Sequence, residues 1–590
     1  MQGLPPVSRS TTQVFFFLEG AKVEMEVVKA IEETVLEVRD TYLKSNPTKR
    51  LHHLSADIAA LWPKIDHLLY QPILGVERPR CFYYYQGDGL EAIYGFTYKY
   101  MTLEHFLGQL TRVQMGAPLA EALVAVYVRA WYPGDDPLTI FVDWHTKPHW
   151  TKFYTHSGHI AMWGRTMPGT KQLLLNGFDG RYLGGWNYPI DAHMTHTLVD
   201  LEAALERTLA RPIACTVIDS EGGGLPLGER YAEAGRSYVS VLPREHTYCL
   251  ADFVLEGCWE PVKDDPKREA IFAHWADPKR AVEDPRQFVL MRPMGRPDPT
   301  RIYTGQFAGM SAGEIPWLHR RRWPYNELRI RDLIHGANLN VNYGYAYAEG
   351  PNRTRQREWE AAQERVAVTE RQLVDHQTAV HNLRQRLADL QDSYAAQRRD
   401  MECQLAQQRL EVQHRQHLGL ATTRTQRRVD GLRRQLDVLT QRFRKRQRRL
   451  LQQLYGHETR SHQLNKRLLH RIALRDAIDT ETLCRERDIE KDQVMLNLQL
   501  LLANLHDWVA RSYFAPNWRN LSLEKATQMI YRKAGQVTWH SDCIEVVLEP
   551  YRYSDQQRAM EVTCARFNEA NVRWRDGRQI RISVASPGEF

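Results

Sequence analysis

The sequence predicts a multi-part α/β protein: a sheet-and-helix core carrying a small β-rich insertion, with a helical N-terminal region before it and a long basic coiled-coil segment and a small α+β C-terminal module after it. Three observations lead there. Through residues 126 to 345, short apolar strand-like runs alternate with segments of helical period. Residues 353 to about 470 are nearly free of Gly and Pro and repeat apolar residues every seven positions. Residues 476 to 590 resume a mixed globular pattern.

At 590 residues the chain is several times the usual domain length and can bury a substantial core. Its eight cysteines are scattered, without zinc spacing or a regular framework, which fits a reducing compartment. The run VFFFL at residues 14 to 18 is too brief for a secretory segment or a membrane span. A soluble, cytoplasmic protein without a membrane partner is therefore expected. Net charge is +8, but residues 353 to 470 hold 25 Lys or Arg against 13 Asp or Glu, a local +12 that leaves the remainder at −4. The basic character belongs to one segment.

Residues 1 to 125 read as helical, with amphipathic stretches VEMEVVKAIEETVLEVRDTYL and APLAEALVAVYVRAW around the aromatic patch CFYYYQGDG. A packing layer is the favoured reading over a DNA-binding domain, because no helix-turn-helix pattern is evident. After the turn PGDDP, the apolar run LTIFV delivers Asp143. HIAMW and KQLLLN are the next strand candidates, the second turning at GFDGR. Residues 197 to 209 place Leu198, Leu201, Leu205 and Leu209 on one helical face, with Thr197 and Asp200 spaced like a capping box. The strand IACTVI then delivers Asp219, Gly222 to Gly224 make a turn, and a short helix leads to the strand SYVSVLP.

Three strands, helix, strand, helix, strand is the order of a ribonuclease H-like fold, in which the ends of the first and fourth strands are neighbours and Asp143 can meet Asp219. Residues 244 to 314 are Pro- and Arg-rich with strand-like pieces FVLMRPM and TRIYTGQF, a β-rich insertion. In the helix that follows, Pro324 suits the first turn, Gly336 the end, and Glu327 shares a face with Arg331.

Val366, Leu373, Val380, Leu387, Tyr394 and Met401 keep a heptad rhythm with Leu383 and Leu390. Leu432, Leu436, Leu439, Phe443 and Leu450 resume it after a break at Leu418 to Gly431, so one long rod and an antiparallel hairpin both fit. The end of the chain reads as an amphipathic helix VMLNLQLLLANLHDWVA, further short elements and a closing strand RQIRISVA.

The segments FVDWHTKPHW, TVIDSEGGG followed by SYVSVLP, and RRRWPYNELRIRDLIHGANLNVNYGY resemble the three acidic motifs of DDE transposases from bacterial insertion sequences, over roughly residues 135 to 345. The resemblance implies a ribonuclease H-like catalytic domain in which Asp143, Asp219 and Glu327 bind two Mg²⁺ or Mn²⁺ ions. It implies metal-dependent phosphodiester cleavage at element ends and strand transfer into target DNA, in a bacterial cytoplasm at the nucleoid. Arg322 and Arg331 flank Glu327 and suit phosphate binding as guanidinium forks. Departures from the family are His319 where Tyr is usual, Leu333, Ile334 and His335 where Lys is usual, and an Arg-to-Glu spacing one residue longer.

Other patterns carry less. His145 and His149 are four apart, but Pro148 between them excludes a metal-binding helix and leaves polar or DNA-facing roles. Gly222 to Gly224 lack the residues of a phosphate loop, and Glu221 could assist Asp219. The excess of base in the coil, including Arg442, Arg444, Lys445 and Arg446, exceeds what solubility needs and points to double-stranded DNA. Coiled-coil pairing suits a homodimer or higher oligomer that holds two DNA ends. A catalytically decayed DNA-binding scaffold and a ribonuclease H-type nuclease without strand transfer are the alternatives.

Overall fold

The computed structural model describes residues 7–10, 15–85, 89–151, 155–243, 248–344, 346–481 and 483–588. The chain forms two compact units, residues 350–484 and everything on either side of them. Among the described residues no helix is long and apolar enough to cross a membrane.

The larger unit is mixed α/β and is built on a ten-stranded mixed sheet. At its centre Leu138–Pro148 pairs antiparallel with Arg165–Gly177 and parallel with Ile213–Val217. Tyr182–Pro189 lies antiparallel beyond Arg165–Gly177, whose first residues also pair with Ser157–Ile160. On the other side Tyr238–Val241 pairs parallel with Ile213–Val217. From there the insertion continues the same sheet with four antiparallel strands, Arg301–Gln306, Gln287–Pro293, Asp265–Trp275 and Phe253–Val262. It extends the sheet; the hairpin of its last two strands went unanticipated.

Alternation along Leu138–Pro148 sets the position of the site. Ile140 and Val142 face one side, packing with Leu198 and Leu205 of the helix Met194–Leu209. Phe141 faces the other, where Val217 and Val241 meet Ile315 and Leu318 of the helix Glu314–Arg322. Asp143 is two residues beyond Phe141 and so shares the face of that second helix. Truncating Leu198 to Ala would cost about 2–5 kcal/mol of core packing.

Several local expectations change. Only Ser157–Ile160 of the region around HIAMW is strand, and Ala161–Trp163 is a 3-10 turn. The strand Tyr182–Pro189, not expected from the sequence, contains Gly184 and Gly185. They are required by close packing: a Cβ on Gly184 would lie 2.9 Å from Val124, and one on Gly185 2.9 Å from Leu174. The helix Met194–Leu209 starts before the expected cap. Thr197 donates to the His193 carbonyl (3.1 Å) and Asp200 pairs with Arg230 (3.0 Å), so no capping box forms.

The helix Glu490–Ser512 was read as amphipathic, yet it is buried around almost its whole circumference. It packs against Phe15–Glu24, Ile58–Leu69, Tyr100–Arg112 and Gly116–Trp131, so the N-terminal helices and the C-terminal segment share one core. Val7–Ser10 also joins the C-terminal sheet of Gly535–Trp539, Cys543–Leu548 and Gln579–Val584. A buried ion cluster fastens the same two regions, with Lys22 donating to Asp66 (2.6 Å) and Arg575 reaching Asp66 (3.2 Å). The N-terminal region is thus a packing layer inside this unit.

The second unit is an antiparallel helical hairpin of Arg353–His417 and Thr423–Asp476. Its seam follows the heptad rhythm: Tyr394 stacks on Phe443 at 4.0 Å, and Leu405, Val412 and Val429 cluster near the tip. The charge is divided unequally. Arg353–His417 carries 11 Lys or Arg against 10 Asp or Glu, whereas Thr423–Asp476 carries 16 against 4. The hairpin's positive charge is therefore the property of one helix.

Candidate active site

Asp143 lies midway along the strand Leu138–Pro148 and not at its end as expected, on the Phe141 face, where it meets the helical run that follows the insertion. Arg322, at the end of Glu314–Arg322, donates to Asp143 Oδ2 at 2.8 Å and also pairs with Glu327. Asp219 sits just past the end of Ile213–Val217, where its Oδ1 accepts from the Glu221 amide at 2.8 Å. Burial pushes Asp143 up to about 7. Arg322 opposes that shift, and the negative charges of Asp219 and Glu327 add to it. Asp219 and Glu327 therefore both act electrostatically on Asp143, with the Arg322 guanidinium between Asp143 and Glu327.

Pro324 does not begin a helix. Trp323–Glu327 is a π turn inside a continuous helical run from Glu314 to Gly336, in which the Leu328 amide bonds to the Trp323 carbonyl. Proline lacks an amide hydrogen and clashes with the preceding turn of an α-helix, and a π turn absorbs that conflict by accommodating one more residue. The longer Arg-to-Glu spacing is absorbed in the same place. In an ordinary α-helix residues five apart point about 140° away from each other. The wider turn lets Arg322 and Glu327 pair.

Two contacts hold this turn in position. Gly180, at φ +84°, closes the turn within GFDGR, and a Cβ there would lie 2.8 Å from the Tyr325 ring. His319 is buried and its Nε2 lies 3.1 Å from the Ile218 carbonyl, which ties the helix to the residue before Asp219. Burial, with Arg322 and Arg301 nearby, takes its imidazole down to about 3, so it is neutral and donates through Nε2. The sequence marked His319 only as a departure; its role shows in the fold.

The remaining candidates distribute as follows. Arg331 is exposed on Leu328–Gly336, and Glu327 pairs with Arg322 in its stead. His145 and His149 are not DNA-facing. Both are buried, His145 lies 2.7 Å from Asn340 Oδ1 and His149 3.3 Å from Thr170 Oγ1, and burial takes them down to about 4 and about 3. Glu221 lies 3.8 Å from Lys171, and Gly223 is close to the Val241 carbonyl, within 2.3 Å of where a Cβ would stand. Arg442, Arg444, Lys445 and Arg446 are exposed along the basic helix of the hairpin.

Among the described residues, no three His, Cys, Asp or Glu side chains are gathered as a ready ligand set for a metal ion. Arg322 takes up the position between Asp143 and Glu327. The donors nevertheless suit a hard divalent cation, since all three are carboxylates. Asn326, the residue before Glu327 in the chain, is fully buried with neither amide atom hydrogen-bonded. No protein-family model and no curated protein matches the chain.

Proposed function

We propose that the larger unit is a metal-dependent phosphodiester-cleaving enzyme with a ribonuclease H-like core. More particularly, we read the chain as a DNA transposase of the DDE type that cuts element ends and joins them to target DNA. The observation that carries this is the convergence of Asp143, Asp219 and Glu327, from two neighbouring parallel strands and a following helix, on a shared electrostatic site. Strand order supports the core assignment, because Leu138–Pro148 lies between an antiparallel pair of strands and a parallel one.

When bound by the three acids, two Mg²⁺ or Mn²⁺ ions would supply Lewis acidity and a nucleophile generated at neutral pH. The chain's own residues do the rest. Arg322 holds Asp143 and Glu327 together, and its fork would suit a phosphate. Arg331, exposed past Glu327, offers a second fork. His319 fixes the helix carrying Arg322 to the backbone before Asp219. The basic helix of the hairpin supplies phosphate contacts that do not depend on sequence.

The test uses purified protein, Mn²⁺, a supercoiled target and a duplex made from the nucleotides that flank the reading frame, chosen for an inverted repeat. Wild type is expected to nick the duplex at the repeat and yield joined products, with Asp143→Asn inactive. Equal nicking by both would defeat the catalytic assignment, and nicking without joined products would leave a nuclease. A second reading, a non-catalytic DNA-binding scaffold, is favoured by the double ion pair of Arg322 and the lack of Lys after Glu327. It requires duplex binding that is indifferent to Mn²⁺.

A further inference from the structure

Large aromatic side chains are seldom left in water, since a tryptophan is highly buried on average. Trp150, just past the strand Leu138–Pro148, is 72 % exposed, and Trp163, in the 3-10 turn beside the strand Arg165–Gly177, is 52 % exposed, with Met162 next to it at 53 %. The two indoles meet edge to face with centroids 6.0 Å apart. The Arg165 guanidinium carbon lies 5.2 Å from one ring centroid and 5.6 Å from the other. A cation over both rings holds an aromatic surface open to solvent.

The surrounding sequence is free of acid. From Trp144 to Phe178 there is no Asp or Glu, while Lys147, Lys152, Arg165 and Lys171 fall within it. Among the described residues, the carboxylates that approach from other elements include Asp492, 2.8 Å from the buried Lys147, Glu486, 3.5 Å from His156, and Glu221, 3.8 Å from Lys171, each set against a basic side chain. An exposed apolar surface without negative charge and with a guanidinium on it suits a ligand that has both flat π faces and anionic links.

We propose that Trp150, Trp163 and Arg165 form a stacking platform for unpaired nucleotides, the two indoles taking bases and Arg165 a phosphate. A base in a closed duplex shows no free face, so the site selects single-stranded over double-stranded DNA. The proposal rests on the nucleic-acid reading above and adds a second site to it, outside the acid cluster. Strand ends opened during cleavage would be its natural ligand.

The test measures anisotropy of labelled oligo(dT) and of a blunt duplex with the full chain, in chelator, at about 0.3 M salt, where phosphate contacts alone are weakened. The double variant Trp150→Ala/Trp163→Ala is expected to lose about ten- to a hundredfold in oligo(dT) affinity with duplex affinity little changed. Trp150→Phe/Trp163→Phe, which keeps ring faces, should restore most of it. Unchanged oligo(dT) affinity in the Ala variant would overturn the platform, as would equal losses on both DNAs. Wild type that binds neither DNA, at this or lower salt, would instead defeat the nucleic-acid reading itself.

Discussion

Asp143 is a carboxyl held in a place that resists its charge. In the absence of metal its folded state keeps a proton up to about pH 7, whereas an ordinary Asp releases it near 3.8. The folded state therefore binds more protons across that window, and stability falls as pH rises through it. Asp143→Asn is expected to melt above wild type at pH 8 in chelator, with the difference shrinking toward pH 4. The gain should be about 1–2 kcal/mol, because the amide also gives up the Arg322 ion pair. His319 titrates with the opposite sense: its folded value near 3 lies below its unfolded 6.5, so protonation of the unfolded chain erodes its contribution as pH falls below 6.5. His319→Phe should cost about 1–2 kcal/mol at pH 8 through the orphaned Ile218 carbonyl, and less at pH 5. Denaturant melts at both pH values check each variant.

At the scale of elements, what was legible depended on whether a segment's partners left a periodic mark. LTIFV could be read as a strand because it is buried on both faces, and Asp219 because it follows such a run, while Asp143 lies inside a strand that runs on through polar residues to Pro148. Tyr182–Pro189 could not, since its glycines answer to Val124 and Leu174, residues distant in sequence. The pairing of Arg322 with Glu327 was hidden for a similar reason: a spacing of five looks wrong on an α-helix, and only the π turn at Pro324 makes it work. In the hairpin, heptads revealed the seam, while the segregation of charge emerged once the two helices could be told apart. Reversing Arg444, Lys445 and Arg446 to Glu on the basic helix is expected to lower the slope of log affinity against log salt for duplex DNA by about 3 or slightly less. The same number of reversals on Arg353–His417 should change it by less. Filter-binding isotherms over a salt series measure both.

At the scale of the whole molecule, the chain returns to complete what it began. The helix Glu490–Ser512 supplies the centre around which the N-terminal helices pack, so the larger unit depends on residues from both ends of the sequence. The strands Tyr347–Gly350 and Cys484–Arg487 pair with each other, which brings the two ends of that unit's gap to within about 5 Å of one another. Replacing residues 351 to 483 with a linker of about four Gly and Ser residues is therefore expected to leave a cooperatively melting unit. Ending the chain at residue 349 should leave an aggregating one. Calorimetric scans of the two forms distinguish these outcomes.

The central claim is that three carboxylates from separate elements serve as one divalent-cation site. Its most direct test is calorimetric titration of Mn²⁺ into the purified full chain, wild type beside Asp143→Asn, Asp219→Asn and Glu327→Gln. Saturable Mn²⁺ binding in wild type, weakened at least about tenfold by each substitution, is the expected result. Binding that is absent from wild type, or equal in all four proteins, would contradict it.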